Sequence, residues 1–233
     1  MIDETLEKRF LIVAPHPDDA ELGIGGTIIN ARQKGHKVFI VDLTSGEPTP
    51  YGTEEKRRKE TLEANRILKI DDRLNLGLDN RYLFDTKEAR ILLAEKIRLY
   101  RPDILFCPYP EDSHPDHTAA TEISEAARFY AKYTRTEMAG EPYYPPHLFY
   151  YFCSHLRILP QFTFLMDISQ QFKDKMEAIR CYRSQFIENP KNEFIFDAIE
   201  MHNHYLGMLI QTEYAEAIYS KEPIKINNLS DIL

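Results

Sequence analysis

The chain predicts an α/β fold, a Rossmann-like, doubly wound and mostly parallel sheet flanked by helices. Three observations carry that expectation. Short apolar runs alternate with helically periodic segments over residues 9–133. The apolar runs are continuous, as strands buried on both faces require. Polar turns follow the strands, and in such a sheet ligands gather beyond the carboxyl ends of the strands.

Phe10-Leu11-Ile12-Val13-Ala14 is the first buried strand. Gly25 to Lys34 follows as a helix closed by Gly35, and Lys37 to Leu43 is the second strand. The helix from Thr53 to Leu68 opens on Thr53, a residue suited to accept a free first-turn amide. Arg73 to Leu76 is a short strand. A third helix, from about Thr86 to Tyr100, stops before Pro102, and Ile104 to Cys107 is a strand bounded by Pro108. Thr118 to Tyr133 is helical. Beyond it, His147 to Cys153 and Thr163 to Asp167 read as strands, and Gln170 to Ser184 and Ile195 to Gln211 as helices. Residues 1–233 are expected to form one domain, with Glu141 to Pro146 a surface loop.

Composition excludes several partners. Asp and Glu number 37 against 29 Lys and Arg, a formal charge of -8 among 233 residues. Nucleic acid and anionic membranes call for clustered positive charge, so neither is expected as a partner. No apolar run reaches the roughly 18 residues of a membrane-spanning helix, and the first residues are acidic where a secretory signal would be basic. Cys107, Cys153 and Cys181 show no CxxC spacing, which fits a reducing, cytoplasmic compartment.

Two turns carry the chemistry. Ala14-Pro15-His16-Pro17-Asp18-Asp19 follows the first strand, and Asp112-Ser113-His114-Pro115-Asp116-His117 follows the strand ending at Cys107. Strand ends far apart in sequence can be neighbours in a parallel sheet, which lets the turns converge. Imidazole and carboxylate both bind Zn²⁺, and a catalytic zinc takes three protein ligands, a set that His16, Asp19 and His117 would supply. Fe²⁺ accepts the same donors. Zinc lowers the pKa of a bound water to about 7, and Asp18, left free beside the ligands, is the candidate base. His114, held protonated by Asp116, is the candidate to stabilise an oxyanion or protonate the leaving group. The competing readings are an Asp-Asp helix cap and a solvated His-Pro-Asp turn.

At these residues the chain resembles the PIG-L/LmbE-like family of zinc deacetylases, which act on N-acetylglucosamine conjugates. The likeness runs through Leu43-Thr44-Ser45-Gly46-Glu47, Asn75-Leu76-Gly77, Tyr182 to Phe186 and Glu213 to Glu216. It implies zinc on His16, Asp19 and His117, with Asp18 as base and His114 oriented by Asp116. The chain looks most like the bacillithiol-biosynthesis branch. That likeness implies N-acetylglucosaminyl-malate as substrate, a small amino-sugar conjugate, and a homo-oligomer up to a hexamer. Deacetylation of another N-acetylglucosamine glycoconjugate or chitooligosaccharide is the alternative. Ser45 and Ser113 stand where arginine is frequent, and Asp79-Asn80-Arg81 replaces a Pro-Asp-Gly.

Three further sets have two readings each. Arg57 pairs with a substrate carboxylate or is an exposed partner of Glu54 or Glu60. Asn80 binds sugar hydroxyls or is a plain surface residue. Tyr143, Tyr144 and Tyr151 form a sugar-facing wall or pack. Gly23-Ile24-Gly25-Gly26 lacks the third glycine of a dinucleotide fingerprint at Ile28. A nucleotide-binding or carbohydrate-binding protein without turnover is the rival class. His202 and His204 point apart on a helix, and His36, His147 and His155 receive no role.

Overall fold

A computed structural model of the protein describes residues 7–153 and 161–226; the acidic first residues and His155 lie outside them. In chain order it comprises β1 (Arg9–Ala14), α1 (Asp19–Gln33), β2 (Lys37–Thr44), α2 (Glu54–Leu68), β3 (Asp72–Leu78), α3 (Lys87–Tyr100), β4 (Ile104–Pro108) and α4 (Pro115–Tyr130). Then come β5 (His147–Tyr151), β6 (Phe164–Asp167), α5 (Phe172–Arg180), α6 (Arg183–Phe186), α7 (Ile195–Leu209) and β7 (Ala215–Tyr219). The strands form one sheet in the order β3-β2-β1-β4-β5-β7-β6. β1 to β5 are parallel, and β7 lies antiparallel between β5 and β6.

Alternation along the strands feeds two apolar layers. Leu11 and Val13 of β1 pack with Leu93 and Ile97 of α3 and with Ile123 and Ala127 of α4. Ile12 and Ala14 pack on the opposite face with Ile28 of α1, Leu68 of α2 and Ile179 of α5. Burying both faces explains why the strands read as unbroken apolar runs. Among the described residues no helix is long and apolar enough to cross a membrane.

Strand order reverses at β1, with β2 and β3 to one side and β4 and β5 to the other. The segments leaving β1 and β4 therefore diverge and open a crevice at the carboxyl end of the sheet, where α/β proteins bind ligands.

The α/β expectation holds, and the differences in detail are tertiary in origin. Helix α1 starts at Asp19, ahead of the expected Gly25, and is broken at Ile24 (φ −137°, ψ 27°). Its second part begins where the sequence suggests. The amides of Gly26 and Thr27 donate to the Glu216 carboxylate at 2.9 and 2.7 Å, a cap supplied by a strand far along the chain. A Cβ on Gly26 would stand 2.7 Å from Ile168, so glycine lets that residue close in. Helix α4 starts at Pro115 instead of Thr118, because proline suits a first helical position and His114 caps it. The expected helix Gln170 to Ser184 is two helices, parted at Tyr182, a fully buried residue whose hydroxyl donates to Glu21 at 2.9 Å. β7 went unread because Glu216 interrupts its apolar run.

Candidate metal and catalytic site

The turns after β1 and β4 meet in the crevice. The rings of His16 and His114 lie 5.0 Å apart, those of His16 and His117 5.5 Å, and those of His114 and His117 4.6 Å. Asp19 sits between two of them. Its Oδ2 is 3.0 Å from His16 Nδ1, and its Oδ1 is 3.4 Å from His117 Nε2. The outer nitrogens are each held by another carboxylate, His16 Nε2 by Asp116 at 3.1 Å and His117 Nδ1 by Asp112 at 2.9 Å.

This arrangement fits a metal. Each imidazole turns one nitrogen toward Asp19 and has the other fixed by an acid, as the supporting shell of metal-binding histidines requires. The donor atoms of His16, Asp19 and His117 lie within 4.8 Å of one another. Two other groups meet the same distance, His16 with His114 and Asp116, and Asp112 with His117 and Cys153. Of the three groups, only the first has every member lining a 230 Å³ cavity at the crevice. Burial also pushes the Cys153 thiol up to about 12, which disfavours it as a thiolate ligand.

Protons compete for this site. Burial alone would lower His16, but its bonds to Asp116 and Asp19 outweigh that and raise it to about 9. His117 is likewise driven upward against burial by the Asp19 charge and the Asp112 bond. At neutral pH the metal-free His16 therefore holds a proton that a metal must displace. The sign follows: below a pH of about 9, affinity for zinc rises with pH, by at least about tenfold per unit for one proton released. Calorimetry at neutral pH in buffers of differing ionisation enthalpy checks this, and zinc binding without proton release would contradict it.

Asp18 is strained and unemployed as a cap. Its backbone has φ 127°, unusual for a side-chain-bearing residue, and its carboxylate makes no capping bond to α1. The helix-cap reading of the Asp-Asp pair is thereby set aside for Asp18. The carboxylate lines the cavity and accepts from Arg57 Nη1 at 2.7 Å. Burial raises its pKa, the Arg57 charge opposes this, and the balance rests at about 7.

The exposed reading of Arg57 does not hold, and the side chain lines the cavity. Its side chain is buried, paired with Asp18 and, at 3.2 Å, with Glu47, and Nη1 also donates to the Pro17 carbonyl at 2.6 Å. Nε and Nη1 of Arg57 are thus taken by these partners, while Nη2 has a 3.5 Å contact with the Gly46 carbonyl. Asn80 is half-buried at the wall shared by the 230 Å³ cavity and a neighbouring one of 610 Å³, which also contains Ser45. Ser113 is exposed, immediately ahead of His114.

Asp116 serves a different histidine from the expected one. Its carboxylate accepts from His16, and from the amides of Arg81 at 2.7 Å and Leu83 at 3.3 Å. The Asp116 backbone N–H donates to His114 Nδ1 at 3.2 Å, so that nitrogen is an unprotonated acceptor. Burial and the neighbouring histidines lower His114 to about 4. It is therefore a neutral ring bearing its proton on Nε2, not an imidazolium maintained by Asp116.

The tyrosines pack. Tyr151 is fully buried with its hydroxyl donating to Val13 O at 2.9 Å, Tyr143 donates to Pro102 O at 3.0 Å, and Tyr144 lies under Arg128. His202 and His204 are exposed on α7 around a buried Asn203. The sequence reading missed Arg81, whose sole local signal is its place beside Asn80, and Asp112, whose signal is a carboxylate five residues before His117.

The chain is similar to several known proteins. Residues 11–128 match the PIG-L family, described as GlcNAc-PI de-N-acetylase. The diacetylchitobiose deacetylase of Thermococcus kodakarensis is 29% identical over 78% of this chain and 72% of its own. A probable N-acetyl-alpha-D-glucosaminyl L-malate deacetylase 2 of Bacillus anthracis is 28% identical over 77% of this chain and 82% of its own. The crystal structure of the conserved protein TT1542 from Thermus thermophilus superimposes with a TM-score of 0.87 at 40% identity, covering 94% of this chain and 97% of that one. The matched span runs from β1 into α4 and so contains both site turns; the chain belongs to the PIG-L, LmbE-like deacetylase family.

Proposed function

We propose that the protein is a metal-dependent N-deacetylase that hydrolyses the acetamide of an N-acetylglucosamine conjugate. The observation that carries this reading is Asp18, an uncapped and strained carboxylate facing the same cavity as His16, Asp19 and His117. A divalent metal held by those three residues, zinc by preference and Fe²⁺ by the same donors, supplies a Lewis acid that acidifies water and polarises the acetyl carbonyl.

The chain's own groups account for the proton movements. Asp18, held by Arg57, takes a proton as water attacks the acetyl carbon. A carboxyl whose pKa rests at about 7 both accepts that proton and gives it up at neutral pH. His114 Nε2–H donates to the developing oxyanion. Asp18 then returns the proton to the amide nitrogen, the C–N bond breaks, and the acetic acid so formed passes its proton to the amine, so that acetate and the ammonium form of the amine depart.

The malate conjugate and diacetylchitobiose are the leading substrates, because each is named in a relative of nearly equal identity. The test is acetate release from N-acetylglucosaminyl-malate, diacetylchitobiose, an inositol conjugate and free N-acetylglucosamine. A dedicated deacetylase is expected to separate its substrate from the rest by more than tenfold in kcat/KM, about 1.4 kcal/mol. Zinc binding without acetate release from any of them would favour a binding protein, and dinucleotide binding without zinc a nucleotide carrier.

A further inference from the structure

Arg81 has a backbone and a position that its packing does not explain. Its φ is 68°, in the left-handed region that glycine enters without penalty. Its N–H donates to Asp116 at 2.7 Å, a bond that any residue but proline would make. The side chain is exposed at the wall of the 230 Å³ cavity, where Nη2 donates to the Pro48 carbonyl at 2.6 Å. Nε and Nη1 have no acceptor among the described residues.

Charge in the cavity makes this position distinctive. The other arginine of the wall, Arg57, is spent on Asp18 and Glu47. Asp19 is balanced between His16 and His117. Arg81 is thus the one arginine or lysine lining the cavity with no carboxylate partner among the described residues. A guanidinium pinned at one nitrogen keeps the rest of its planar fork directed, and that fork matches the two oxygens of a carboxylate.

We propose that Arg81 is a specificity-determining residue that binds a carboxylate on the aglycone of the amino-sugar substrate. The proposal rests on the deacetylase reading above and narrows it to anionic conjugates. A strained arginine is then retained because its charge is used, where glycine would satisfy the backbone alone.

The test compares two glycosides of N-acetylglucosamine, one with a methyl and one with a carboxymethyl aglycone, by acetate release from the zinc-loaded enzyme. The wild type is expected to favour the carboxymethyl glycoside by about thirtyfold or more in kcat/KM. Arg81→Gly, which fits the left-handed backbone, is expected to bring that ratio within about threefold, mainly through KM, and Arg81→Lys to keep part of it. A ratio unchanged in Arg81→Gly, or an equal loss on both glycosides, overturns the assignment while leaving the deacetylase reading intact. Turnover of neither glycoside by the wild type overturns that reading and the assignment with it.

Discussion

Asp18→Asn is expected to bind zinc at full stoichiometry and to release acetate about 10²–10⁴-fold more slowly in kcat, the usual contribution of a positioned base. The substitution is chosen to isolate the proton. Asparagine has the same shape, its carbonyl can still accept from Arg57, and it is among the residues that tolerate positive φ, which is 127° here. Two opposing effects set the carboxylate's character. Burial raises its pKa and the arginine at 2.7 Å lowers it, leaving the group at about 7, far above an ordinary aspartate. A group spent as a plain salt bridge would stay ionised through neutral pH, whereas this one exchanges protons there. The measurement is kcat beside metal content. A variant with full zinc and a rate within threefold of wild type would remove Asp18 as the base and leave it only a structural partner of Arg57.

How much of this was legible in the sequence depended on the reach of each signal. The strands β1, β2 and β4 and helices α2 and α3 announce themselves locally, through apolar runs and N-caps such as Thr53 and Thr86, both of which accept first-turn amides. The grouping of His16, Asp19 and His117 was also readable, because each turn directly follows a strand and the parallel sheet brings their ends together. Partner assignments were not readable. Asp116 reaches His16, a hundred residues away, past the adjacent His114. Arg57 turns inward because Glu47 and Asp18, from two other loops, converge on it. The first turn of α1 forms around Glu21, which meets Arg73 of β3 at 2.6 Å and Tyr182 at 2.9 Å. Such contacts follow from the closed fold, and no periodicity encodes them.

The largest expected loss of stability lies at another pair remote in sequence, one absent from the chemistry. Lys175 Nζ lies 2.7 Å from Glu216 Oε1, with side-chain exposures of 1% and 0%, and 3.0 Å from Asn203 Oδ1. Glu216 also accepts from Gly26 N, Thr27 N and Thr27 Oγ1, so one carboxylate caps the second half of α1 and neutralises a buried ammonium. Lys175→Met removes the cation and leaves the carboxylate buried, which is expected to cost about 3–5 kcal/mol in chemical denaturation. Glu216→Gln strands the ammonium instead and is expected to cost a similar amount. The decisive measurement is the double variant Lys175→Met with Glu216→Gln. Once neither charge is buried, the amide can still accept from the α1 backbone, so the double variant is expected to be at least about 2 kcal/mol more stable than the sum of the single losses implies. Additive losses would mean that each residue acts by packing alone. In that case the break at Ile24, which lets Asp19 begin a separate turn facing His16, would owe nothing to the pair.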